Sequence, residues 1–297
     1  MIVAIVGLGL IGGSLAIDLR NHHFATNLLG VDAQKGHADK ALDLGLVDEL
    51  CSLNEAAAKA DVIILAIPVN QVKKLLPEVL NLIDGTTTVI DLGSTKKSIA
   101  ETVVQHPRRH NYVAAHPMSG TENSGPQAAL PNLFRDKVTI ICDDYLSAPQ
   151  HLALAEKMFQ TIGSSIAYTT SDEQDHTTAY ISHLPHVVAY ALANAALAKE
   201  SGDIIFDLAS GGFNSTVRLA KSAPSMWGPI FQDNKKNVLE SIDCYMNHLQ
   251  ELRESIAHDE SKMYDLMNNA VSIREVLQGN NSTMIKNEKK IIKLYKR

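Results

Sequence analysis

Two hydrophobic patterns divide the chain. Up to about residue 170, short runs of Val, Ile and Leu, such as IVAIVG (2–7) and DVIILAIP (61–68), alternate with segments in which apolar residues recur every three or four positions. The short runs are typical of buried strands, and the wider spacing is typical of helices. Because such an alternation builds βαβ units, we expect an α/β Rossmann-type, doubly wound and mostly parallel sheet over residues 1–170.

Beyond residue 170 the strand-like runs stop. Residues 172–200 and 226–278 keep the helical spacing throughout, so we expect an all-α C-terminal domain over residues 171–297. One apolar stripe in the second segment is formed by Val238, Ile242, Tyr245, Leu249 and Leu252. Packing into the core of this domain accounts for such a stripe, and part of it also suits burial against a second subunit.

A glycine motif, GLGLIG (7–12), lies between the first predicted strand and the first predicted helix. In that position Gly7 permits a tight turn, Gly9 lets the backbone approach a pyrophosphate, and Gly12 lets the helix pack closely on the strand. The backbone N–H groups near Leu10 and Ile11 would face the phosphates. The motif therefore predicts a dinucleotide site.

Asp32 ends the second predicted strand, at the usual distance after the glycines. A carboxylate there binds the hydroxyls of the adenosine ribose and repels a 2′-phosphate, which favours NAD over NADP. Ile67 and Pro68 end the next buried run, at the edge where doubly wound sheets bind ligands, and we expect them to line the nicotinamide side. A plain strand end is an alternative explanation for these two residues.

Composition narrows the classes of partner. The formal net charge is −6, which disfavours nucleic acid, and the first long uncharged run carries four glycines and has no basic flank, unlike a signal peptide or membrane span. Three cysteines lie far apart and outside any Cys-x-x-Cys pair, which argues against a disulfide framework and a zinc site. We expect a cytoplasmic protein.

Three further stretches carry a family likeness: DLGSTK (91–96), HPMSGTENSG (116–125), and SHLPH (182–186) followed by GGFNSTVRLAKSAPSMW (211–227). Together they resemble the prephenate and arogenate dehydrogenases, and the resemblance covers nearly the whole chain. It implies NAD-dependent oxidative decarboxylation of prephenate to 4-hydroxyphenylpyruvate in tyrosine biosynthesis, by a homodimer joined through the helical domain.

The resemblance also implies the roles of individual residues. His116 matches the catalytic histidine that accepts the substrate's hydroxyl proton, and Ser94 matches the serine that positions the hydroxyl and the nicotinamide. Arg218 matches the substrate-binding arginine and His186 a histidine that binds a carboxylate. Thr121 and Glu122 match a loop over the substrate, although Glu122 alone reads equally well as a solvated acid.

Two features of the helical half complicate this assignment. His183 lies three residues before His186, yet hydride transfer needs no metal and no carboxylate cluster accompanies the pair, so we expect a packed structural histidine and no metal site. Ser215 stands where the family commonly has an aspartate, so Arg218 has one fewer acidic partner. That departure leaves the preference for prephenate or arogenate open.

Three alternatives stand beside the prephenate assignment. An arogenate dehydrogenase would share every motif above. A β-hydroxyacid dehydrogenase would use a lysine such as Lys221, although the HPMSG stretch has no counterpart in that family. A catalytically silent NAD-binding regulator would usually lack Ser94, His116 or Arg218, and this chain has all three.

Overall fold

A computed structural model of the chain describes residues 1–199, 209–277 and 292–293. Its strands are β1 (Ile2–Val6), β2 (Asn27–Val31), β3 (Glu49–Leu50), β4 (Val62–Leu65), β5 (Thr88–Asp91), β6 (Tyr112–Pro117), β7 (Val138–Cys142), β8 (Ser165–Thr169) and β9 (Ile292–Lys293). The helices of the first half are α1 (Leu10–Asn21), α2 (Lys35–Asp43), α3 (Leu53–Lys59), α4 (Val69–Leu82), α5 (Lys97–Glu101) and α6 (Pro149–Thr161).

The second half is built mainly from helices. They are α7 (Ser171–Thr178), α8 (Leu184–Leu197), α9 (Gly211–Val217), α10 (Pro224–Asp233), α11 (Lys235–His258), α12 (Glu260–Val271) and α13 (Ile273–Leu277). A π-helical turn, Ala179–His183, joins α7 to α8. Pro185 lies in the first turn of α8, where no backbone N–H is needed for a helical bond.

The strands form one sheet in the order β3-β2-β1-β4-β5-β6-β7-β8-β9. Neighbouring strands are parallel except β6 and β7, which are antiparallel. The predicted mostly parallel, doubly wound sheet is therefore confirmed. The order reverses at β1, between β2 and β4, so the carboxyl ends of β1, β4, β5 and β6 share the edge at which such folds bind ligands.

Both faces of the sheet are buried, as the continuous apolar strands require. Along β1, Val3 and Ile5 pack into one hydrophobic cluster, whereas Ala4 and Val6 pack into the other. Each side chain is at most 4% exposed. Because alternate residues of a strand point to opposite faces, this burial places helices on both sides of the sheet.

The second half of the chain differs from the sequence-based expectation at two points, the burial of the α11 stripe and the presence of strand β9. The apolar stripe on α11 is buried at Val238 and half-buried at Ile242 and Leu252, but Tyr245 and Leu249 are 37% and 52% exposed. Core packing therefore covers only part of the stripe. At the far end of the chain, β9 adds to the sheet by pairing with β8, which the helical pattern does not predict.

One side chain of the helical half ties the two halves together. Asp233, at the end of α10, accepts hydrogen bonds from Thr95 on the loop after β5 and from Ser98 of α5. It also pairs with Lys73 of α4 at 2.7 Å. These bonds fix the helical half against the carboxyl edge of the sheet. The two halves together therefore enclose that edge.

Candidate active site

The glycine loop shows why three of its positions lack a side chain. Gly7 has φ +94°, and a Cβ added there would lie 2.5 Å from the carbonyl oxygen of Ala66. A Cβ on Gly12 would lie 2.0 Å from the carbonyl oxygen of Gly7, whereas one on Gly9 would meet nothing within 4 Å. Gly7 and Gly12 are thus required by the protein's own packing, and the surface at Gly9 is open to a ligand.

The other residues predicted for the nucleotide surround this loop. The Asp32 carboxylate, at the end of β2, accepts hydrogen bonds from the backbone N–H of Leu8 (2.9 Å) and of Gln34 (2.8 Å). Leu10 and Ile11 form the first turn of α1, which no side chain caps. Their free N–H groups and the positive end of the helix dipole make this turn suitable for an anion.

Ile67 and Pro68 lie on the same side of the sheet. Pro68 precedes the first residue of α4 and is exposed, while Ile67 is half-buried. The Cγ2 atom of Ile67 approaches within 2.6 Å of the point where a Cβ of Gly7 would lie, so Ile67 packs directly on the glycine loop. The structure therefore brings the predicted nucleotide residues together at one edge.

His116 lies near the end of β6 and is only 8% exposed. Burial, together with the nearby charges of Lys96 and His183, lowers the pKa of its imidazole from 6.5 to about 3. The hydrogen bond between the ring and the Gln174 side-chain oxygen acts in the opposite direction. The ring is consequently neutral at physiological pH, which is the state that a proton acceptor requires.

Gln174, on α7, connects the two residues expected to be catalytic. Its Nε2 donates to the carbonyl oxygen of Ser94 at 3.1 Å, and its Oε1 lies 3.2 Å from Nδ1 of His116. The amide is buried, with 1% of the residue exposed. Sequence reasoning missed Gln174, because a single glutamine in a polar segment gives no signal of contacts with such distant residues.

The loop that carries Ser94 is held by buried polar contacts on both sides of it in the sequence. Lys96 and Asp91 form a fully buried ion pair, and the hydroxyl of Tyr112 donates to the other Asp91 oxygen at 2.6 Å. The side chain of Asp175 accepts hydrogen bonds from the backbone N–H of Lys96 and Lys97 at 2.7 and 3.0 Å. Burial raises the pKa of Asp175 to about 6 against the effect of these bonds.

His183 and His186 occupy different environments. His183 is fully buried, and its Nδ1 lies 3.2 Å from the amide nitrogen of Asn234. The Nδ1–H of half-buried His186 donates to the carbonyl oxygen of Ser182 at 2.9 Å, and its ring stacks on Trp227 with centroids 3.4 Å apart. Among the residues that the structure describes, no group of three His, Cys, Asp or Glu side chains is placed to hold a metal.

Arg218 and Glu122 meet across the opening of the site. Their side chains form an ion pair at 3.2 Å and are 53% and 31% exposed. A hydrogen bond to the backbone N–H of Glu122 itself and then the charge of Arg218 lower the pKa of the Glu122 carboxyl. The hydroxyl of Thr121 accepts from the backbone N–H of Asn123. Ser215 donates to the carbonyl oxygen of Gly212 in its own helix, so its hydroxyl does not restrain the arginine.

A cavity of about 220 Å³ lies beside Glu122. Its walls include Glu122 and Gln127 of the loop after β6, Met226 of α10, and His37 of α2. The cavity therefore lies between the loop after β6, α10 and α2, and of the Arg218–Glu122 pair only Glu122 lines it.

Comparison with known proteins identifies a family for two parts of the chain. Residues 15–168 match the family described as "Prephenate dehydrogenase, nucleotide-binding domain", and residues 170–270 match "Prephenate dehydrogenase, dimerization domain". A cyclohexadienyl dehydrogenase of Zymomonas mobilis is 31% identical over 258 residues, which are 86% of this chain and 88% of that protein.

Two solved structures are similar over almost the entire length. The crystal structure of prephenate dehydrogenase from A. aeolicus, in complex with hydroxyphenyl propionate and NAD+, has a TM-score of 0.86 at 30% identity and covers 93% of this chain and 98% of that one. Synechocystis arogenate dehydrogenase has a TM-score of 0.75 at 30% identity, with 93% of this chain and 100% of that one covered. A 3-hydroxyisobutyrate dehydrogenase of Salmonella typhimurium, at 15% identity and a TM-score of 0.57, shares the fold alone.

Proposed function

Because the chain belongs to the prephenate dehydrogenase family, we propose that it catalyses the NAD-dependent oxidative decarboxylation of prephenate to 4-hydroxyphenylpyruvate. The observation that carries the proposal is the position of a neutral, buried imidazole, His116, on the sheet edge that also carries the glycine loop. A proton acceptor and a nucleotide cradle on one edge suit hydride transfer from an alcohol.

The cofactor proposal rests on the fit of the residues. Gly9 leaves the space that a pyrophosphate needs, the first turn of α1 offers uncapped N–H groups, and the Asp32 carboxylate stands where a 2′-phosphate would be repelled. Bound NAD would supply the hydride acceptor. The residues of this chain would bind the nucleotide and exclude water from its reactive end.

Substrate binding is assigned to residues of the helical half and of the loop after β6. Prephenate carries two carboxylates, and the planar guanidinium of Arg218 matches one of them. It now pairs with Glu122, an exposed contact that a substrate carboxylate would replace. His186, stacked on Trp227, is the proposed partner of a carboxylate deeper in the helical half, and Thr121 and Glu122 form the covering loop.

The neutral ring of His116 would take the proton of the 4-hydroxyl as hydride leaves the same carbon, and Ser94 would position that hydroxyl. The bond to the ring carboxylate breaks, its electrons complete the aromatic ring, and carbon dioxide leaves. The proton then returns to the oxygen of the aromatic product. Prephenate and NAD thus yield 4-hydroxyphenylpyruvate, carbon dioxide and NADH, and His116 ends the cycle neutral.

We also propose a division into a nucleotide-binding domain over residues 1–170 and a helical substrate and dimerisation domain over residues 171–297.

Large apolar side chains remain exposed on the described helices of the helical domain, including Met246 (58%), Ile256 (67%) and Met267 (51%). A second copy of the chain would cover them in a homodimer. Sedimentation equilibrium should give twice the chain mass, and a monomer at assay concentrations would contradict this.

The proposed location is the cytoplasm. Cys51, Cys142 and Cys244 are all unpaired, which suits a reducing compartment. No helix of the described ranges is long and apolar enough to cross a membrane.

The test of the function is NADH formation by the purified full-length chain with NAD and either prephenate or arogenate. Turnover of prephenate, lost in the His116→Asn variant, is the expected result. Turnover of arogenate alone would move the chain to the sister activity, which a similar arogenate dehydrogenase makes the second candidate. Silence with both substrates in protein that still binds NAD would overturn the proposal.

A further inference from the structure

We propose that Gln174 is a positioning residue that holds His116 in the tautomer with its proton on Nδ1, so that Nε2 is the proton acceptor. The assignment of the tautomer stands on the geometry alone. Its catalytic consequence rests on the function proposed above. Gln174 acts through His116 and Ser94 and need not touch the substrate.

The orientation of the Gln174 amide follows from its partners. The carbonyl oxygen of Ser94 can only accept a hydrogen bond, so the amide group 3.1 Å from it must present its NH₂. The oxygen Oε1 therefore faces Nδ1 of His116 at 3.2 Å. Because an amide oxygen can only accept, the proton lies on Nδ1 of the neutral ring and Nε2 carries the lone pair.

Burial makes this arrangement costly to change. Gln174 and His116 are 1% and 8% exposed, so a rotated amide would leave polar atoms unpaired with little access to water. The neighbouring Asp175 holds the backbone of Lys96 and Lys97, so α7 is locked to the loop that carries Ser94. Gln174 therefore fixes the relative position of the two residues as well as the tautomer.

His183 provides an internal contrast. The oxygen of the Asn234 amide accepts from Asn237 at 2.8 Å, so the Asn234 nitrogen donates to Nδ1 of His183. His183 therefore carries its proton on Nε2, which has no hydrogen-bond partner among the described residues. Two buried histidines of one protein thus hold opposite tautomers, each set by an amide side chain. His183 can therefore serve as an internal reference for His116.

The experiment is a long-range ¹H–¹⁵N correlation spectrum of the ¹⁵N-histidine-labelled protein, in which protonated and unprotonated ring nitrogens are separated. His116→Asn assigns the His116 signals among the 12 histidines. We expect His116 as the Nδ1–H tautomer in the wild type. An Nε2–H tautomer there would overturn the inference without any measurement of activity.

Two substitutions separate the roles of the amide. Gln174→Leu keeps the approximate size and removes both hydrogen bonds, so His116 should lose its Nδ1–H preference. Gln174→Glu retains an acceptor for Nδ1–H and should keep the tautomer. Thr178→Val is the matched control. Thr178 lies one turn further along α7 and is equally buried, and its hydroxyl donates to the backbone carbonyls of Gln174 and Asp175 rather than to Ser94 or His116.

Kinetics then tests the consequence. Gln174→Leu should lower kcat about tenfold, as expected when the hydrogen bond that orients the base is lost, with KM for NAD changed by less than about twofold. Gln174→Glu should recover part of kcat, and Thr178→Val should resemble the wild type. A Gln174→Leu protein with the wild-type tautomer would overturn the inference. A wild-type protein that is inactive with both substrates would overturn the proposed function. The NMR spectrum would still test the tautomer assignment.

Discussion

The guanidinium of Arg218 lies 3.2 Å from the carboxylate of Glu122, and this pair joins the helical half to the loop after β6. Both side chains reach solvent, so their attraction is screened and weak. Ser215 adds nothing, because its hydroxyl bonds to its own helix. The arginine is therefore held weakly enough for a substrate carboxylate to displace Glu122.

Replacing Arg218 by Ala should raise KM for prephenate about 10- to 100-fold, the loss expected for hydrogen bonds to a charged group. NAD affinity should stay the same, because the nucleotide residues lie on the glycine loop and at Asp32. Initial rates with each substrate varied in turn, together with NAD titration, check both statements.

Lys221→Ala is the control for the arginine, since Lys221 also lowers the pKa of Glu122 and carries the same charge without the planar fork. It should change KM by less than about threefold, as for an exposed charge. Equal losses in the two variants would mean that only net charge matters at this position. A parallel loss of NAD affinity would mean that Arg218→Ala disturbs the fold.

The choice of nucleotide should depend on the charge of Asp32. Asp32→Asn keeps an oxygen that can accept from the Leu8 N–H and removes the charge that repels a 2′-phosphate. We expect the ratio of kcat/KM for NAD to that for NADP to fall about tenfold. Asp39→Asn, an exposed change on α2 at a residue paired with Lys35, is the control and should leave the ratio unchanged.

The sequence predicts the parts of this site that depend on local backbone rules. Gly7 and Gly12 could be recognised because a strand-to-helix turn leaves no room for a Cβ at either position. The sheet followed because uninterrupted apolar strands must be covered on both faces. His116 and Arg218 were found through their motifs, which do not state what lies beside them.

The missing information concerns contacts between distant segments. Gln174 meets Ser94 and His116 only because α7 folds back over the sheet edge, and no periodicity reports that. The buried pair of Lys96 and Asp91 is hidden for the same reason, since lysine alone suggests a surface. The exposed part of the α11 stripe shows that apolar spacing marks a surface to be buried, without naming what buries it.

Binding of a substrate carboxylate at His186 should be coupled to proton uptake. Nδ1–H of this ring already donates to Ser182, so Nε2 must gain a proton before it can donate to a carboxylate. Burial lowers the pKa of free His186, and the stacked Trp227 would stabilise the charged ring once it forms.

Calorimetric titration with prephenate, in the absence of NAD and in buffers of different ionisation enthalpy, measures this uptake. The wild type should take up a proton near neutral pH, and His186→Gln should take up less. His248→Gln, at a side chain 75% exposed, should match the wild type. Binding without any uptake would place the carboxylate elsewhere.

His116 should not impose an acid limb near its ordinary pKa on the free enzyme. Its pKa is lowered from 6.5 to about 3 by burial, Lys96 and His183, so the ring stays neutral over the working range. The contribution of His116 to kcat/KM should therefore be constant between pH 5.5 and 8, because even the lower end of this range is about 2.5 units above that pKa. His116→Asn should lower kcat about 10²- to 10⁴-fold. A limb with an apparent pKa near 6.5 that vanishes in this variant would contradict the assignment.

The same lowered pKa should make His116 a source of acid instability. As the pH falls from 6.5, the unfolded chain binds a proton at this histidine while the folded chain does not, so the free energy of unfolding decreases through the window from about 6.5 to 3. One such group changes it by at most about 1.4 kcal/mol per pH unit. The His116→Asn variant lacks this loss of stability. Between pH 7.5 and pH 5, which is about two units above the folded pKa, the thermal midpoint of the wild type should therefore fall more than that of the variant. A difference that does not change with pH would mean that the folded ring titrates normally. The lowered pKa that keeps this base neutral below pH 6.5 would then be absent.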